Sequence, residues 1–95
     1  MGGAPMCQGE VMRGIAAASH AVGVGEQTLR LYERRGLLSP ARTSGGTRRY
    51  CDADLHRIRR IRQLVDDGIN LAGILRVLEL EATIAILHAE RASAV

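Results

Sequence analysis

Gln27 to Tyr50, QTLRLYERRGLLSPARTSGGTRRY, sets a short helical run beside a basic, turn-rich segment. The helix starts at Gly25-Glu26-Gln27-Thr28 and runs to Arg35, with Glu26 placed to favour the positive N-terminal end of the helix dipole. Gly25 is a weaker cap than Ser or Asp would be. Gly36 stops the helix, and Leu37-Leu38-Ser39-Pro40 leads the chain away. In the segment that follows, Thr43-Ser44 and Thr47-Arg48 flank Gly45-Gly46, a pair suited to the positive φ angles of a tight hairpin turn. The spacing predicts a small β-wing with Arg42, Arg48 and Arg49 on its strands and Tyr50 closing it.

Upstream, Ile15 to Val22 is Ala-rich and forms two helical turns, ending at Gly23 where a left-handed cap wants glycine. Two short helices joined by a Gly-containing turn make the skeleton of a helix-turn-helix, whose second helix enters the major groove. On spacing alone this pattern also fits a plain helical bundle. Residues 1–10, MGGAPMCQGE, have no apolar period and read as a flexible tail.

Downstream, Cys51-Asp52-Ala53-Asp54 opens a third helix with Leu55, Ile58, Ile61 and Val65 on its core face, ending at Asp66-Asp67-Gly68. Arg57, Arg59, Arg60 and Arg62 take the remaining arcs, some solvated and some available to a polyanion. Asn70 caps a fourth helix, Leu71 to Glu81, in which Ile74, Leu75, Val77 and Leu78 close the core. Beyond it the helical pattern continues. Val77, Leu80, Ile84 and Leu87 fall at 3-4-3 spacing, extended by Arg91 and Ala94, as in a two-heptad dimer seam. The expected organisation is a tail at 1–10, a DNA-binding domain at 11–81 and a short dimerisation helix at 82–95.

Composition narrows the function. A chain of 95 residues has room for one small core and none for a two-layer substrate cleft. With no Phe and no Trp, that core is expected to be Leu, Ile, Val and Ala in closely packed helices. All 13 cationic residues are Arg, and from Arg30 to Arg62 ten of them face three acids, a local excess of seven. Guanidinium forks pair two-point with phosphates and guanine edges, so the cluster suggests a nucleic-acid partner; a solvated face is the bland alternative.

Catalytic chemistry finds no foothold. His20, His56 and His88 lie on different predicted helices, and neither Cys7 nor Cys51 is spaced with them as zinc ligands are, so no metal and no cofactor are expected. The two cysteines are too few and too distant in sequence for a disulfide framework, which fits a reducing compartment. Cys51 beside the basic wing suits a redox-active thiolate or, more simply, a small helix cap. No Ser/His/Asp set, paired acids or phosphate-binding loop is present, and no segment reads as a membrane span or a signal core.

The run Gln27–Tyr50, followed by DADL at 52–55 and GINLAGI at 68–74, closely resembles the winged-helix DNA-binding domain of the MerR family of bacterial transcription regulators, over roughly Ile15 to Leu80. The RTSGGTRRY wing and the NLAGI start of the fourth helix look most like the family's heat-shock repressor subgroup, HspR, whose targets are chaperone operons. The resemblance implies a mainly α winged helix-turn-helix with a small β-hairpin wing and a short C-terminal dimerisation helix. It places Gln27, Thr28, Arg30 and Tyr32 at the major groove and its flanking phosphates, with Arg34 on the same helix. Arg42, Arg48, Arg49 and Tyr50 match the wing that grips the backbone beside the minor groove. Leu31 departs from the commoner Tyr-Tyr pair, Cys51 replaces a Ser or Thr cap, and Gly25 stands where Ser is common.

The implied protein is a cytoplasmic, nucleoid-associated homodimer on double-stranded DNA, a repressor acting at a palindromic operator, with a DnaK-type chaperone as candidate co-repressor. Two rivals share parts of the pattern: an excisionase-like DNA-bending protein needing no stable dimer, and a MerR-related module that binds a co-chaperone instead of DNA.

Overall fold

In the computed structural model, which describes residues 11–93, the order is α1 (Ile15–Val22), α2 (Glu26–Arg34), β1 (Ala41–Arg42), β2 (Arg48–Arg49), α3 (Asp52–Asp66) and α4 (Leu71–Ser93). The segment at 1–10 read as a tail, and Ala94 of the seam, lie outside the described residues. Each predicted helix is present. Gly23 adopts φ 69° and its N–H donates to Ser19 O, while the Ser19 hydroxyl donates to Val24 O at 2.6 Å and fixes the tight turn into α2. At the end of α2, Gly36 has φ 77°, and Leu37 N–H donates back to Tyr32 O at 2.9 Å, a Schellman-type ending. Asn70 caps α4 by accepting from Gly73 N–H at 2.8 Å.

The hairpin pairs Ala41 with Arg49 and Arg42 with Arg48, antiparallel. Its tip differs from the expectation of two glycines at positive φ: Gly46 alone adopts one, at 87°. Gly46 N–H donates to Thr43 O and Thr43 N–H to Thr47 O, which leaves a three-residue loop with a single left-handed position. At the base, Arg13 and Tyr50 exchange backbone hydrogen bonds of 2.8 and 2.7 Å, so the chain before α1 adds a bridge to the wing.

α3 opens at Cys51 in a capping box, where Asp54 Oδ2 accepts from Cys51 N–H at 2.9 Å. Cys51 is itself fully buried at this helix start.

Leu29, Leu37, Ile58, Ile61 and Ile74 are fully buried and join the three-helix unit to α4. On α3 the last core position is Leu64, 4% exposed, whereas the predicted Val65 is 39% exposed. At about 100° per residue, a stripe begun at Leu55 and Ile58 has rotated past Val65 by the helix end. The aliphatic core is also corrected. Both tyrosines are in it: Tyr32 is 3% exposed and Tyr50 is fully buried.

The Tyr50 hydroxyl is buried with no hydrogen-bond partner among the described residues, and burial pushes its pKa up. A buried donor left unmade is a cost that its removal relieves. Tyr50→Phe is therefore expected to leave thermal stability unchanged or to raise it by up to about 1 kcal/mol. A loss of comparable size in a CD melt would show that the hydroxyl has a partner.

Candidate nucleic-acid interface

The α2 sequence repeats its core contacts at Leu29 and Tyr32, so the opposite side of the helix carries Gln27, Arg30, Leu31 and Arg34. Gln27 and Arg34 are exposed, and Arg30 is one-third exposed with its Nη2 3.3 Å from Glu26 Oε1 one turn back. Thr28 is half-buried a quarter-turn from this stripe. Arg35, just past the helix, is exposed beside Thr28's side of it. Gly25, the N-cap, makes no side-chain cap contact, which leaves the first-turn amides of α2 without one.

Glu33 links this helix to the hairpin. Arg42 Nη2 donates to Glu33 Oε2 and Arg48 Nε to Glu33 Oε1, both at 2.5 Å, so one carboxylate holds two wing guanidiniums on separate oxygens. Arg42 also donates through Nη1 to Gly46 O at 2.9 Å, across its own turn. Partial burial pushes the Glu33 pKa up, but the hydrogen bonds and charges of Arg48 and Arg42 outweigh it, and the net shift is down. The Arg48 pKa is raised, chiefly by its hydrogen bond to Glu33.

Successive strand residues point to opposite faces. Arg48 thus turns towards α2, and Arg49 turns to the other side, where a Cβ built on Gly14 would lie 3.9 Å from its Nη1. Arg49 sits beside the start of α1.

The basic run on α3 works differently from the wing. Arg57 Nε donates to Leu37 O at 2.6 Å, Arg62 Nη1 to Gly23 O at 3.2 Å, and Arg59 Nη2 reaches Ala21 O at 3.5 Å. Arg60 bonds Glu81 of α4 at 2.5 Å and Gln63 at 2.8 Å. These arginines brace the helix-turn-helix and α4. Among the described residues, the arginines left without an intrachain acceptor are Arg34, Arg35, Arg49 and Arg91.

Of the residues predicted for the interface, Gln27, Thr28, Arg30 and Arg34 share α2, and Arg42, Arg48 and Arg49 share the hairpin. Tyr32 and Tyr50 do not belong with them. Tyr32 packs under α2, where burial raises its pKa and the charges of Arg62 and Asp66 on α3 act on it in opposite directions, and Tyr50 closes the core, so neither ring faces out. Sequence reading missed Arg35, which the charge run contained, and Glu33, the single acid in that run before Asp52.

On α4, Leu80, Ile84, Ile86 and Leu87 are more than half exposed, and Ile84, Leu87, His88 and Arg91 line an open groove of about 280 Å³. Val77, assigned to the same seam, packs against the core instead. Among the described residues no helix is long and apolar enough to cross a membrane, and no group of three metal-ligating side chains occurs.

Residues 14–81 match the family described as MerR HTH family regulatory protein. A Streptomyces coelicolor protein named "Putative heat shock protein HspR" is 49% identical over 79 residues, covering 82% of this chain and 52% of that one. The Escherichia coli regulator MlrA is 46% identical over 55 residues, 57% of this chain and 23% of that protein. Among solved structures, HiNmlR, a MerR family regulator lacking the sensor domain and bound to promoter DNA, superposes with a TM-score of 0.69 at 31% identity, covering 81% of this chain and 56% of its own. A MerR family regulator from Bacillus cereus gives 0.68 at 25% identity, covering 85% of this chain and 65% of its own. The chain thus spans about half the length of the HspR relative.

Glu33 yields a pH prediction. A carboxylate with a lowered folded-state pKa contributes stability that is present above its unfolded value and lost as pH falls through the folded value. The stability gap between the wild-type chain and Glu33→Gln is expected to stay constant from neutral pH down to about pH 5 and to shrink in more acidic solution. Thermal melts across that range check it; a gap that persists unchanged into strong acid would mean the Glu33 charge contributes nothing.

Proposed function

The chain belongs to the MerR HTH family of regulatory proteins, and we propose that it is a sequence-specific DNA-binding transcriptional regulator, a dimeric HspR-like repressor acting on a palindromic operator. The observation that carries this reading is where unpaired charge remains. In a chain whose other arginines nearly all find an intrachain acceptor, Arg34 and Arg35 at the end of α2 and Arg49 on the wing have none among the described residues. They flank a helix whose outer face begins with an amide side chain, Gln27. A basic rim around a readable helix fits a duplex, with phosphates taken by guanidinium and base edges by α2.

The likeness to a promoter-bound regulator and to the Streptomyces coelicolor HspR relative supports the DNA and repressor parts of the proposal. A chaperone of the DnaK type as co-repressor, and residence at the nucleoid in the cytoplasm, extend the same kinship. The exposed row Leu80, Ile84 and Leu87, with Ile86 beside it, supports a seam between two copies, and so a division into a DNA-binding part and a C-terminal dimerisation part. Two-fold symmetry then sets the two α2 helices one helical turn, ~34 Å, or a multiple of it apart on the duplex. Wing contacts outside the grooves favour bent or underwound DNA between them.

Fluorescence anisotropy on duplexes tests the charge assignment. Arg34→Ala is expected to weaken binding to all sequences and to flatten the dependence of log K on log salt by ~0.9, the loss of one phosphate contact. Gln27→Ala should instead relax base preference at one position of the site, by ~1–3 kcal/mol of lost discrimination. Unchanged slope in the first case, or intact preference in the second, removes that residue from the interface.

The seam has its own test. Leu87→Glu is expected to convert a sedimenting dimer to monomer and to weaken binding to a two-half-site duplex far more than to a single half-site. Monomer behaviour of the wild-type chain at micromolar concentration would favour the architectural DNA-bending alternative.

A further inference from the structure

We propose that Glu33 is a specificity-determining positioning residue that competes with the phosphodiester backbone for the Arg42 and Arg48 guanidiniums and so restrains binding to unselected DNA. The inference rests on the reading of the chain as a DNA-binding regulator.

The geometry carries it. Glu33 places its two oxygens on two different wing arginines, each at 2.5 Å, and its side chain is 21% exposed against 42% for Arg42 and 28% for Arg48. The contact is therefore open enough for a competing anion to reach. A phosphodiester offers the same kind of paired acceptor oxygens that a guanidinium fork accepts from a carboxylate. Arg42 is held twice, by Glu33 on α2 and by Gly46 O across its own turn, which commits two of its five N–H donors. Arg49, on the other face of the strand, has no such tether among the described residues.

Unselected binding scales with the number of phosphates that cations neutralise. A carboxylate that occupies two of the three wing guanidiniums subtracts from that sequence-independent term. It leaves Gln27 and Arg34 on the outer face of α2 untouched, because Glu33 lies towards the hairpin and not on that face. The same contact sets the wing's position relative to α2, so phosphate can be gained only where the fit is good enough to displace Glu33.

The test measures anisotropy on a random-sequence duplex and on a site selected in vitro with the wild-type chain, across a salt titration, with folding checked by circular dichroism. Glu33→Gln is expected to tighten random-duplex binding several-fold at low salt and to steepen the salt slope by up to ~1.8, two further phosphate contacts. The ratio of selected-site to random affinity falls. In a chain already carrying Arg42→Gln and Arg48→Gln, the same Glu33→Gln change is expected to have no effect on random binding. Glu33→Asp, one methylene shorter and unable to span both arginines, should shift random binding in the same direction by less.

A folded Glu33→Gln chain with unchanged slope, or a gain that persists without Arg42 and Arg48, overturns the proposal. Loss of fold in both Glu33 variants overturns it too, by making the residue a structural one. A wild-type chain that binds no duplex at low ionic strength overturns the regulator reading itself, a result separable from wild-type binding that Glu33→Gln leaves unaltered.

Discussion

One carboxylate holding two guanidiniums, Glu33 between Arg42 and Arg48, decides where the wing stands relative to α2. A hairpin of two-residue strands cannot hold itself in water. This one is fixed at three places by three parts of the chain. Thr43 Oγ1 accepts from Thr47 N–H at the tip, Glu33 grips the middle, and the backbone exchange between Arg13 and Tyr50 closes the base. Among the described residues the grip at the middle is the ion-paired link from the hairpin to α2, and it adds to the burial of Tyr50 in the same core as Leu29 and Tyr32.

The use of arginine to the exclusion of lysine follows the same logic. A guanidinium can satisfy a backbone carbonyl while part of the group stays wet, and the α3 arginines do so at the ends of other elements. Ala21 and Gly23 end α1, Leu37 follows α2, and their carbonyls accept from Arg59, Arg62 and Arg57. The first two are carbonyls that the end of α1 leaves over, and the third belongs to the loop after α2. The cations on α3 therefore act as struts for the helix-turn-helix, and a charge run that looks uniform in sequence divides into a scaffold half and a half that faces outwards.

That division marks how far the sequence can be read. Helix ends were legible because Gly23, Gly36 and Gly68 sit where positive φ is needed, and Asn70 where a capping oxygen is. The hairpin and its arginines were legible from turn chemistry. Partners of individual arginines were not, because carbonyl acceptors such as Leu37 O are defined only once α2 and α3 have packed. The tyrosines misled for a different reason. Tyr32 and Tyr50 stand inside a motif whose resemblance points to DNA contact, yet a chain with no Phe and no Trp has few other large side chains with which to fill its core. That compositional shortage was the available signal for their burial.

The fourth helix joins the fold to the proposed assembly. Its first turns give Ile74 and Leu78 to the core, and its later turns expose Leu80, Ile84 and Leu87, so one continuous helix of 23 residues serves both. Arg60 meets Glu81 where the helix leaves the body of the domain, and the pairing raises the Arg60 pKa. An unbroken helix leaving at an angle braced in this way transmits orientation. If two copies join along the exposed row, the separation of their α2 helices follows from helix length and exit angle, with no flexible linker to absorb error. The radius of gyration, 14.3 Å against about 12 Å for a compact chain of this length, reflects that projecting arm. A short seam is then sufficient for register, because the stiffness that sets half-site spacing is already built into each copy.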